Sequence, residues 1–416
     1  MEDETKITEG WIDTRIGDIS DVKGGKRMPK GSVLTTETTN HPYIRITDFE
    51  GNSINKNNLL FVPENVFEKI SRYIVNSGDV IISIVGTIGL IGKIVKDLDN
   101  ASLTENCVKL VNLRNVFPNY LYYYLSSKKG QNEISKNTVG AVQKKLPIYG
   151  VQNIKIILPP LQEQKAITKV LSAFDNKIEL LQAQNKTLET MAQTIFKEWF
   201  GKYQIGDELP EGWRLCELGD IVSKSNTGAD AIKKAPIVAE DTGFRCLRIG
   251  DLSNNRSFDD WGFTSVTEKN FKQFQLKKYD IVITRTSILG LNKLIMEDLN
   301  AVYNNGLIKI SLVENVNPFF IFSYFKSKRY RNYISMINND TSTRPNMKID
   351  YLLRFPIILP TRDLEVKFSK FMGSVMLKIS KNKNQIQSLK KTRDTLLPKL
   401  MSGQVRVKNI KHTADA

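Results

Sequence analysis

The sequence predicts a mixed α+β fold. We expect two tandem α/β domains separated by a long antiparallel two-helix coiled coil, with pseudo-twofold symmetry. Three observations lead there: the chain repeats itself about every 200 residues, the first part of each repeat is rich in short strand-like runs, and the second part carries a helical apolar stripe. A chain of 416 residues is also too long for one ordinary core.

The repeat is visible in segments that recur in the same order. "GWIDTRIGDIS" at 10–20 returns as "GWRLCELGDIV" at 212–222, and "SGDVIISIVGTIGLIG" at 77–92 returns as "KYDIVITRTSILGLNK" at 278–293. The offset of these segments is 201 to 202 residues, and it drifts by only a few residues along the chain. Chance matches would not keep one order and one spacing, so we interpret the protein as two copies of one unit.

The first part of each unit reads as a compact α/β domain. Copy one has runs of β-branched and aromatic residues between Gly, Asn, Asp and Pro, which is the pattern of short strands: "PYIRI", "DVIISIVG", "CVKLVNL" and "IKIIL". A helical segment, "PNYLYYYLSSKKG" at 118–130, matches "NPFFIFSYFKSKR" at 317–329.

The second part of each unit reads as a long helix with apolar residues at alternating steps of four and three. That period of 3.5 residues is the signature of coiled-coil packing. The first stripe is Ile167, Leu171, Phe174, Ile178, Leu181, Asn185, Leu188, Ala192, Ile195 and Trp199. The second stripe is Phe368, Met372, Val375, Ile379, Asn382, Ile386, Leu389, Arg393, Leu396 and Leu400.

Each stripe contains one Asn, and antiparallel pairing sets Asn185 against Asn382. A polar pair in a coiled-coil seam fixes the register at some cost in stability. The alternative is that both are exposed positions near frayed turns. Pro398 removes a backbone donor and is expected to end or kink the second helix, which leaves the stripe beyond Leu396 open.

These patterns divide the chain into five segments: a first α/β domain at 1–157, a first long helix at 158–203, a second α/β domain at 204–357, a second long helix at 358–407 and a polar tail at 408–416. Each stripe spans roughly 50 Å as a helix. Antiparallel helices would hold the two domains apart at the ends of a rod.

The aromatic segment "FKEWF" at 196–200 has rings on more than one helix face, so part of it should contact the second domain or another subunit.

The charge indicates a polyanionic partner. Sixty Lys and Arg against 44 Asp and Glu give a net charge of +16, which favours nucleic acid first and an anionic membrane second. A solvated basic surface is the alternative. The acidic start "MEDETK" and the lack of a long apolar run lead us to expect a soluble intracellular protein without a membrane segment.

Catalytic and metal-site patterns are weak. Cys107, Cys216 and Cys246 have no paired spacing and are expected to be core residues, and two histidines disfavour a His-rich metal site or a Ser-His-Asp triad. "GTIGLIGKI" at 86–94 misses the spacing of a phosphate loop, and "DLEVK" at 363–367, with acids that suit a helix start, is a poor nuclease motif. We therefore expect no catalytic residues and no metal site in this chain.

The repeat, the helix entry "LPPLQEQKAI" at 158–167, the loop "GDVIISIVGTIG" at 78–89 and the C-terminal "LLPKLMSGQV" at 396–405 together resemble the specificity subunit of Type I restriction–modification enzymes. The resemblance covers nearly the whole chain. The second helix entry, "LPTRDLEVKF", departs from the motif.

The resemblance implies that each α/β domain is a target-recognition domain that reads one half of a bipartite, asymmetric site in double-stranded DNA. The helices would set the spacer and dock two modification subunits that methylate adenine with S-adenosylmethionine. Two restriction subunits using ATP and Mg²⁺ would complete the complex, with no cofactor in this chain and a cytoplasmic, prokaryotic location. The alternatives are a coiled-coil scaffold, or another DNA-binding protein without these partners.

The candidate DNA contacts are basic and polar side chains in segments that should be exposed loops. The first segment supplies Lys23, Lys26, Arg27 and Lys30, matched in copy two by Lys224, Asn226, Lys233 and Lys234. The turn after the "DVIIS" strand supplies Thr87, matched by Arg285, Thr286 and Ser287. The loop before the last strand supplies Gln143, Lys144 and Lys145, matched by Thr343, Arg344 and Asn346.

Two further candidates, Arg45 and Arg248, share a repeat position and have a structural role as the alternative. Arg285 has little evident structural reason to stand at a strand end, which favours a functional role for it. The two copies differ most within these loops, as two domains that read different half-sites would require.

Overall fold

The structure is a computed structural model, and it describes residues 8–50, 53–56, 58–339 and 345–407. The chain forms two compact units. Unit 1 comprises residues 1–179 and 386–416, and unit 2 comprises residues 180–385. Each of the two 40-residue helices, at Leu161–Phe200 and Arg362–Met401, contributes residues to both units.

Unit 1 begins with short strands and ends with a helical segment, as the runs of β-branched residues predict. Its described strands are β1 (Ile12–Arg15), β2 (Asp21–Gly24), β3 (Pro42–Ile44), β4 (Phe49–Glu50), β5 (Ser53–Ile54), β6 (Leu60–Phe61), β7 (Ile74–Val75), β8 (Val80–Ser83), β9 (Ile91–Lys93), β10 (Ala101–Leu103), β11 (Cys107–Val111) and β12 (Lys155–Leu158). Its described helices are α1 (Ile16–Ile19), α2 (Glu64–Phe67), α3 (Pro118–Ser126), α4 (Lys128–Lys136), α5 (Ile148–Gln152) and the first half of α6 (Leu161–Phe200).

Unit 2 repeats this order. Its described strands are β13 (Arg214–Glu217), β14 (Val222–Thr227), β15 (Arg245–Leu247), β16 (Ile281–Thr284), β17 (Asn292–Leu294), β18 (Ala301–Tyr303), β19 (Leu307–Leu312) and β20 (Pro356–Leu359). Its described helices are α7 (Ile249–Ser253), α8 (Glu268–Phe274), α9 (Pro318–Tyr324), α10 (Lys328–Asn339), α11 (Ile349–Leu353) and the first part of α12 (Arg362–Met401).

The two units share the pairing of their main sheet and of one parallel strand pair in the described residues. A four-stranded antiparallel sheet has the order β2-β11-β8-β9 in unit 1 and β14-β19-β16-β17 in unit 2. Its central register is also shared, with Val108 opposite Ile82 and Ile308 opposite Ile283. Parallel pairing of β3 with β10 corresponds to that of β15 with β18. The repeated sequence therefore encodes a repeated topology.

The long helices pair antiparallel within unit 1. Ile167 and Leu171 of α6 share a buried cluster with Leu400 of α12. Arg393 lies on α12, eight residues before Met401. Its Nη1 donates to Oδ1 of Asp175 over 2.6 Å. Tyr123 of α3 donates to the other carboxylate oxygen of Asp175 over 2.5 Å. The helix pair is thus joined to the α/β domain by a shared carboxylate.

The same antiparallel pairing is present within unit 2. The side chains of Asn185 and Asn382 are 8% and 1% exposed and hydrogen-bonded to each other, so the alternative of two exposed positions is wrong. Further along, Phe196 and Phe200 of α6 pack edge-on against Phe368 of α12 and tilted or edge-on against Phe320 of α9. The "FKEWF" aromatics therefore contact the second α/β domain, as expected.

Burial follows both predicted stripes: every one of the twenty stripe positions is buried or half-buried. Pro398 does not end the second helix, the first of the two expected alternatives, because α12 continues to Met401. Proline removes one backbone donor only, and Ser402 N–H still donates to the Pro398 carbonyl over 3.1 Å. Burial of Leu400 and Met401 in the unit 1 core stabilises this last turn.

Candidate nucleic-acid interface

The candidate loops of unit 1 converge on the turn that joins β10 to β11, residues 104–106. After β2, Gly25 N–H donates to the Cys107 carbonyl over 3.0 Å and Lys26 N–H to the Leu103 carbonyl over 2.8 Å. Thr104 N–H, on the turn itself, donates to the carbonyl of Ile44 over 3.1 Å, and Ile44 immediately precedes Arg45. The first candidate segment and the Arg45 segment therefore flank one turn.

Of the other two candidate loops of unit 1, one contacts the same turn and the other contacts that loop. After β8, Ile84 N–H donates to the Asn106 carbonyl over 2.8 Å. Leu146 N–H, at the end of the "NTVGAVQKK" loop, donates to the Ile84 carbonyl over 2.9 Å, and Val85 forms a β-bridge with Lys145. Segments more than a hundred residues apart in sequence are thus connected by backbone hydrogen bonds.

Unit 2 builds the same arrangement around residues 304–306. Arg285 N–H donates to the Gly306 carbonyl over 2.9 Å, and Met347 N–H donates to the Arg285 carbonyl over 2.8 Å. Ala229 N–H donates to the Tyr303 carbonyl over 2.8 Å, and Asn304 N–H donates to the Leu247 carbonyl over 3.1 Å. The four candidate segments of each copy therefore come together in the same way.

One glycine in each unit makes this convergence possible. A Cβ atom on Gly25 would collide with the carbonyl oxygen of Thr104, and one on Gly228 would collide with those of Tyr303 and Asn304. Only a residue without a side chain lets the strand end cross the turn so closely.

Most of the candidate side chains are available to a ligand. The exposed ones are Lys23, Lys26, Arg27, Lys30, Thr87, Gln143, Lys144, Lys145, Lys224, Lys233, Lys234, Ser287 and Asn346. The half-buried ones are Arg45, Asn226, Arg248, Arg285 and Thr286. Thr343 and Arg344 lie outside the described residues.

Three candidates assigned to loops lie on strands instead. Lys23 is on β2, and Lys224 and Asn226 are on β14, because antiparallel pairing with β11 and β19 extends further than the turn residues suggested. Asn226 accepts a hydrogen bond from the Tyr303 hydroxyl over 2.8 Å through Oδ1. The side-chain oxygen of Asn226 is therefore already hydrogen-bonded within unit 2.

Arg45 forms a structural ion pair. Its guanidinium donates to both carboxylate oxygens of Asp48, over 3.0 and 2.7 Å, and Asp48 is 4% exposed. At the matching position the backbone N–H of Arg248 donates to Asp251 over 2.9 Å. Both acids anchor the start of a short helical turn, which agrees with the structural alternative for this repeat position.

Arg285 has a structural role that the sequence did not reveal. Its guanidinium donates to the Met347 carbonyl over 3.2 Å, to the Asn305 carbonyl over 3.4 Å and to Oδ1 of Asn346 over 2.8 Å. It therefore joins the turn at 304–306 to the loop before α11. This structural reason was not evident from the sequence, because the three partners of Arg285 are remote from it along the chain.

The interface also contains an acid that the sequence interpretation did not single out. Glu105, on the β10–β11 turn, accepts a hydrogen bond from Nε of Arg27 over 2.6 Å. Burial raises the pKa of Glu105, but the hydrogen bonds from Arg27 and its neighbours outweigh that effect and lower it. Glu105 is the fourth residue of "SLTEN" at 102–106 and Asn305 is the fourth of the matching "VYNNG" at 302–306, a difference that would have marked the turn as a site where the copies differ.

Two other kinds of site are not found in the part of the chain that the structure describes. No group of three or more His, Cys, Asp or Glu side chains there could hold a metal ion. None of the helices there has the length and apolar character needed to cross a membrane. The three cysteines are free and buried, as expected for core residues.

Comparison with known families gives two matches within the chain. Residues 8–190 and 210–391 each match a family model described as the Type I restriction modification DNA specificity domain. The two matched ranges confirm the duplication inferred from the repeat.

Individual relatives agree with the family match. The chain is 27% identical to the MjaIX specificity subunit of a Type I restriction enzyme from Methanocaldococcus jannaschii, over 97% of this chain and 96% of the relative. It is 21% identical to the EcoKI specificity subunit from Escherichia coli, over 79% and 74% of the two chains.

A solved structure shares the fold. The crystal structure of a Type-I restriction-modification system S subunit from M. genitalium aligns with a TM-score of 0.61 and 18% identity, covering 95% of this chain and 97% of that one. The likeness supports the predicted fold class.

Proposed function

Because this chain belongs to the Type I restriction–modification DNA specificity family, we propose that each of its two units reads one half of a bipartite DNA sequence. The observation that carries the proposal is that, in each unit, three basic or polar segments bond to one turn and a fourth bonds to one of those segments. Such a surface combines exposed lysines, suited to phosphates, with arginine and amide side chains, suited to base edges.

The differences between the copies support separate half-sites. The turn carries Glu105 in unit 1 and Asn305 in unit 2, and the loop end carries Lys145 in unit 1 and Asn346 in unit 2. Carboxylates, amides and ammonium groups favour different base edges in the major groove. A shared core topology with different side-chain chemistry is what reading an asymmetric site needs.

We assign the long helices to spacing and assembly. Both α6 and α12 contribute to the two units, so their length would set the number of unread base pairs between the half-sites. Their outer faces would dock two modification subunits, which bind S-adenosylmethionine and methylate adenine. Two restriction subunits that use ATP and Mg²⁺ would join them.

In this proposal the partner subunits carry out the chemistry, and the chain itself has no catalytic role. The target adenine would be turned out of the helix into the pocket of a modification subunit, because a stacked base is out of reach. The chain's own residues would bind phosphates, recognise base edges and hold the DNA in place.

Methylation sequencing of the host genome, with and without this gene, tests the proposal. We expect deletion to remove adenine methylation from one bipartite motif. A gene variant lacking the contacts of one unit would then change only one half of that motif. If deletion alters no methylated motif, the proposed function is wrong.

A binding assay separates the proposal from a coiled-coil scaffold. Phosphate contacts make the logarithm of the DNA affinity fall linearly with the logarithm of the salt concentration. A scaffold without a DNA role would show no such slope.

A further inference from the structure

The backbone that leads into Arg27 is held in place by hydrogen bonds and by one close contact. Lys26 N–H donates to the Leu103 carbonyl over 2.8 Å, and the Lys26 carbonyl accepts a hydrogen bond from the Tyr43 hydroxyl over 2.7 Å. Gly25, one residue earlier, is pressed against the carbonyl of Thr104. The Cα atom of Arg27 therefore has a defined position beside the turn at 104–106.

The side chain of Arg27 is anchored at one edge only. Its Nε donates to Oε1 of Glu105 over 2.6 Å, and the other oxygen of Glu105 accepts from the Thr104 hydroxyl over 3.0 Å. The Arg27 side chain is nevertheless 79% exposed, whereas that of Glu105 is 30% exposed. Within the described part of the chain, neither terminal nitrogen of Arg27 has a hydrogen-bond partner.

We infer that Arg27 recognises a guanine in the half-site read by unit 1, and that Glu105 is the positioning residue that orients its guanidinium. The inference rests on the proposed function and adds the base type and the second residue. Two terminal nitrogens presented side by side match the O6 and N7 acceptors of guanine in the major groove.

The carboxylate favours a base over a phosphate as the partner of Arg27. A phosphate oxygen brought to the guanidinium would also approach the negative charge of Glu105, and like charges repel at such distances. The acceptors of guanine carry no net charge, so they do not incur this repulsion. The same carboxylate could accept from the amino group of the paired cytosine.

The anchoring of Arg27 by Glu105 also strengthens the contact with the base. An exposed arginine that moves freely loses side-chain entropy when it binds, whereas one already held by Glu105 loses less. Unit 2 has Asn305 at the position of Glu105 and Asp230 close to that of Arg27, so the same pair is not repeated there. The guanine contact therefore belongs to unit 1 alone.

The test measures how well the assembled complex discriminates single base pairs. Its probes are duplexes that carry the methylated motif found by sequencing, together with variants in which each G·C pair is replaced in turn. We expect Arg27→Ala to remove discrimination, by about 5- to 150-fold, at one G·C pair of one half-site. Arg27→Lys should do the same while it keeps most of the sequence-independent affinity, because lysine lacks both Nε and the fork.

The Glu105 variants separate positioning from folding. Glu105→Ala should weaken discrimination at the same pair, and Glu105→Gln, which keeps an acceptor for Nε, should restore part of it. The matched control is Arg114→Ala, which breaks another exposed pair, Arg114–Asp21, at 2.9 Å and at the opposite end of β2. It should leave discrimination at every pair unchanged.

Three outcomes would overturn the inference. If Arg27→Ala weakens binding equally to all duplexes and lowers the salt slope, Arg27 contacts a phosphate. If Glu105→Ala leaves discrimination unchanged while Arg27→Ala abolishes it, Glu105 does not position Arg27. Loss of discrimination at pairs of both half-sites would show a general disturbance. The proposed function survives all three, since it fails only when the wild-type complex has no bipartite motif.

Discussion

Asn382 donates a hydrogen bond from Nδ2 to Oδ1 of Asn185 over 2.8 Å, between the two long helices within unit 2. The same nitrogen donates to Oε1 of Gln184 over 2.9 Å. Both asparagines occupy stripe positions that would otherwise be apolar, and their neighbours Leu181 and Ile379 are buried. A polar pair among apolar neighbours favours one register, because any shift would leave two buried amides without partners.

Replacing one asparagine should therefore cost more than replacing both. Asn382→Leu leaves the buried amide of Asn185 unsatisfied, and we expect the free energy of unfolding to fall by about 1–3 kcal/mol. The double variant Asn185→Leu/Asn382→Leu should recover this loss or exceed the wild type in stability. Thermal or denaturant unfolding measures both.

The control for this pair is Asn384→Leu, an exposed position two residues along α12, where we expect a change within about 0.5 kcal/mol. The double variant should also form more than one oligomeric species in light scattering if the pair selects the register. Equal losses for the single and double variants would contradict this account.

A pair of half-buried lysines makes the stability of unit 2 depend on pH. Burial, with the charge of Lys383 nearby, lowers the pKa of Lys293 to about 8. Burial lowers the pKa of Lys326 to about 8 as well, although Glu189 opposes the shift. Between pH 8 and the ordinary value of 10.5 the unfolded chain holds more protons than the folded one, so the free energy of unfolding rises with pH.

It follows that Lys326→Met should be most stabilising near neutral pH, where the wild type bears the full cost of a buried charge. The advantage over wild type in melting temperature should shrink as the pH approaches 10. Lys328→Met, at an exposed position two residues away, is the control and should show no such trend. A pH-independent difference would mean that packing rather than charge decides the effect.

Asn346 is expected to act on DNA in unit 2 with little effect on folding. Its side chain is exposed and its Oδ1 is held by Arg285, which leaves its amide nitrogen available to a base edge. Asn346→Ala should reduce affinity for one half-site by about 1–3 kcal/mol in duplex binding with unchanged melting temperature. Lys272→Ala, which breaks an exposed helical ion pair of the same unit, should change neither quantity measurably.

Arg285→Ala should affect binding and stability together, because its three partners belong to two separate loops. Comparing it with Asn346→Ala separates the positioning of the loops from direct contact. If Asn346→Ala binds both half-sites with wild-type affinity, the residue has no DNA role.

Lys144 and Lys145 should contribute through phosphates. Their side chains are exposed, while the backbone of Lys145 is fixed by bridges to Val85 and Val139. The double variant Lys144→Ala/Lys145→Ala should lower the salt slope of DNA binding by up to about 0.9 per lost contact, without changing the preferred sequence. Lys169→Ala on α6 serves as the control, and an unchanged slope in the double variant would exclude these lysines as phosphate contacts.

Much of this protein follows from local pattern alone. The duplication, the α/β character of each copy and the two helical stripes are periodic features, and hydrophobic periodicity reports directly which face of an element is buried. The pairing of Asn185 with Asn382 followed from counting along two stripes. The family resemblance added what the pattern could not, namely a biological role.

The tertiary structure decided what depends on contacts between distant segments. The sequence could not show that Arg285 binds the loop at Asn346 or that Glu105 holds Arg27. Nor could it show that Asn226 lies on a strand and accepts a hydrogen bond from Tyr303. It also overstated the effect of Pro398, because burial of Leu400 and Met401 stabilises a turn that local propensity disfavours. Local sequence determines which elements form, since backbone propensity and burial act over a few residues; long-range packing determines which side chains meet, since that requires the chain to have folded.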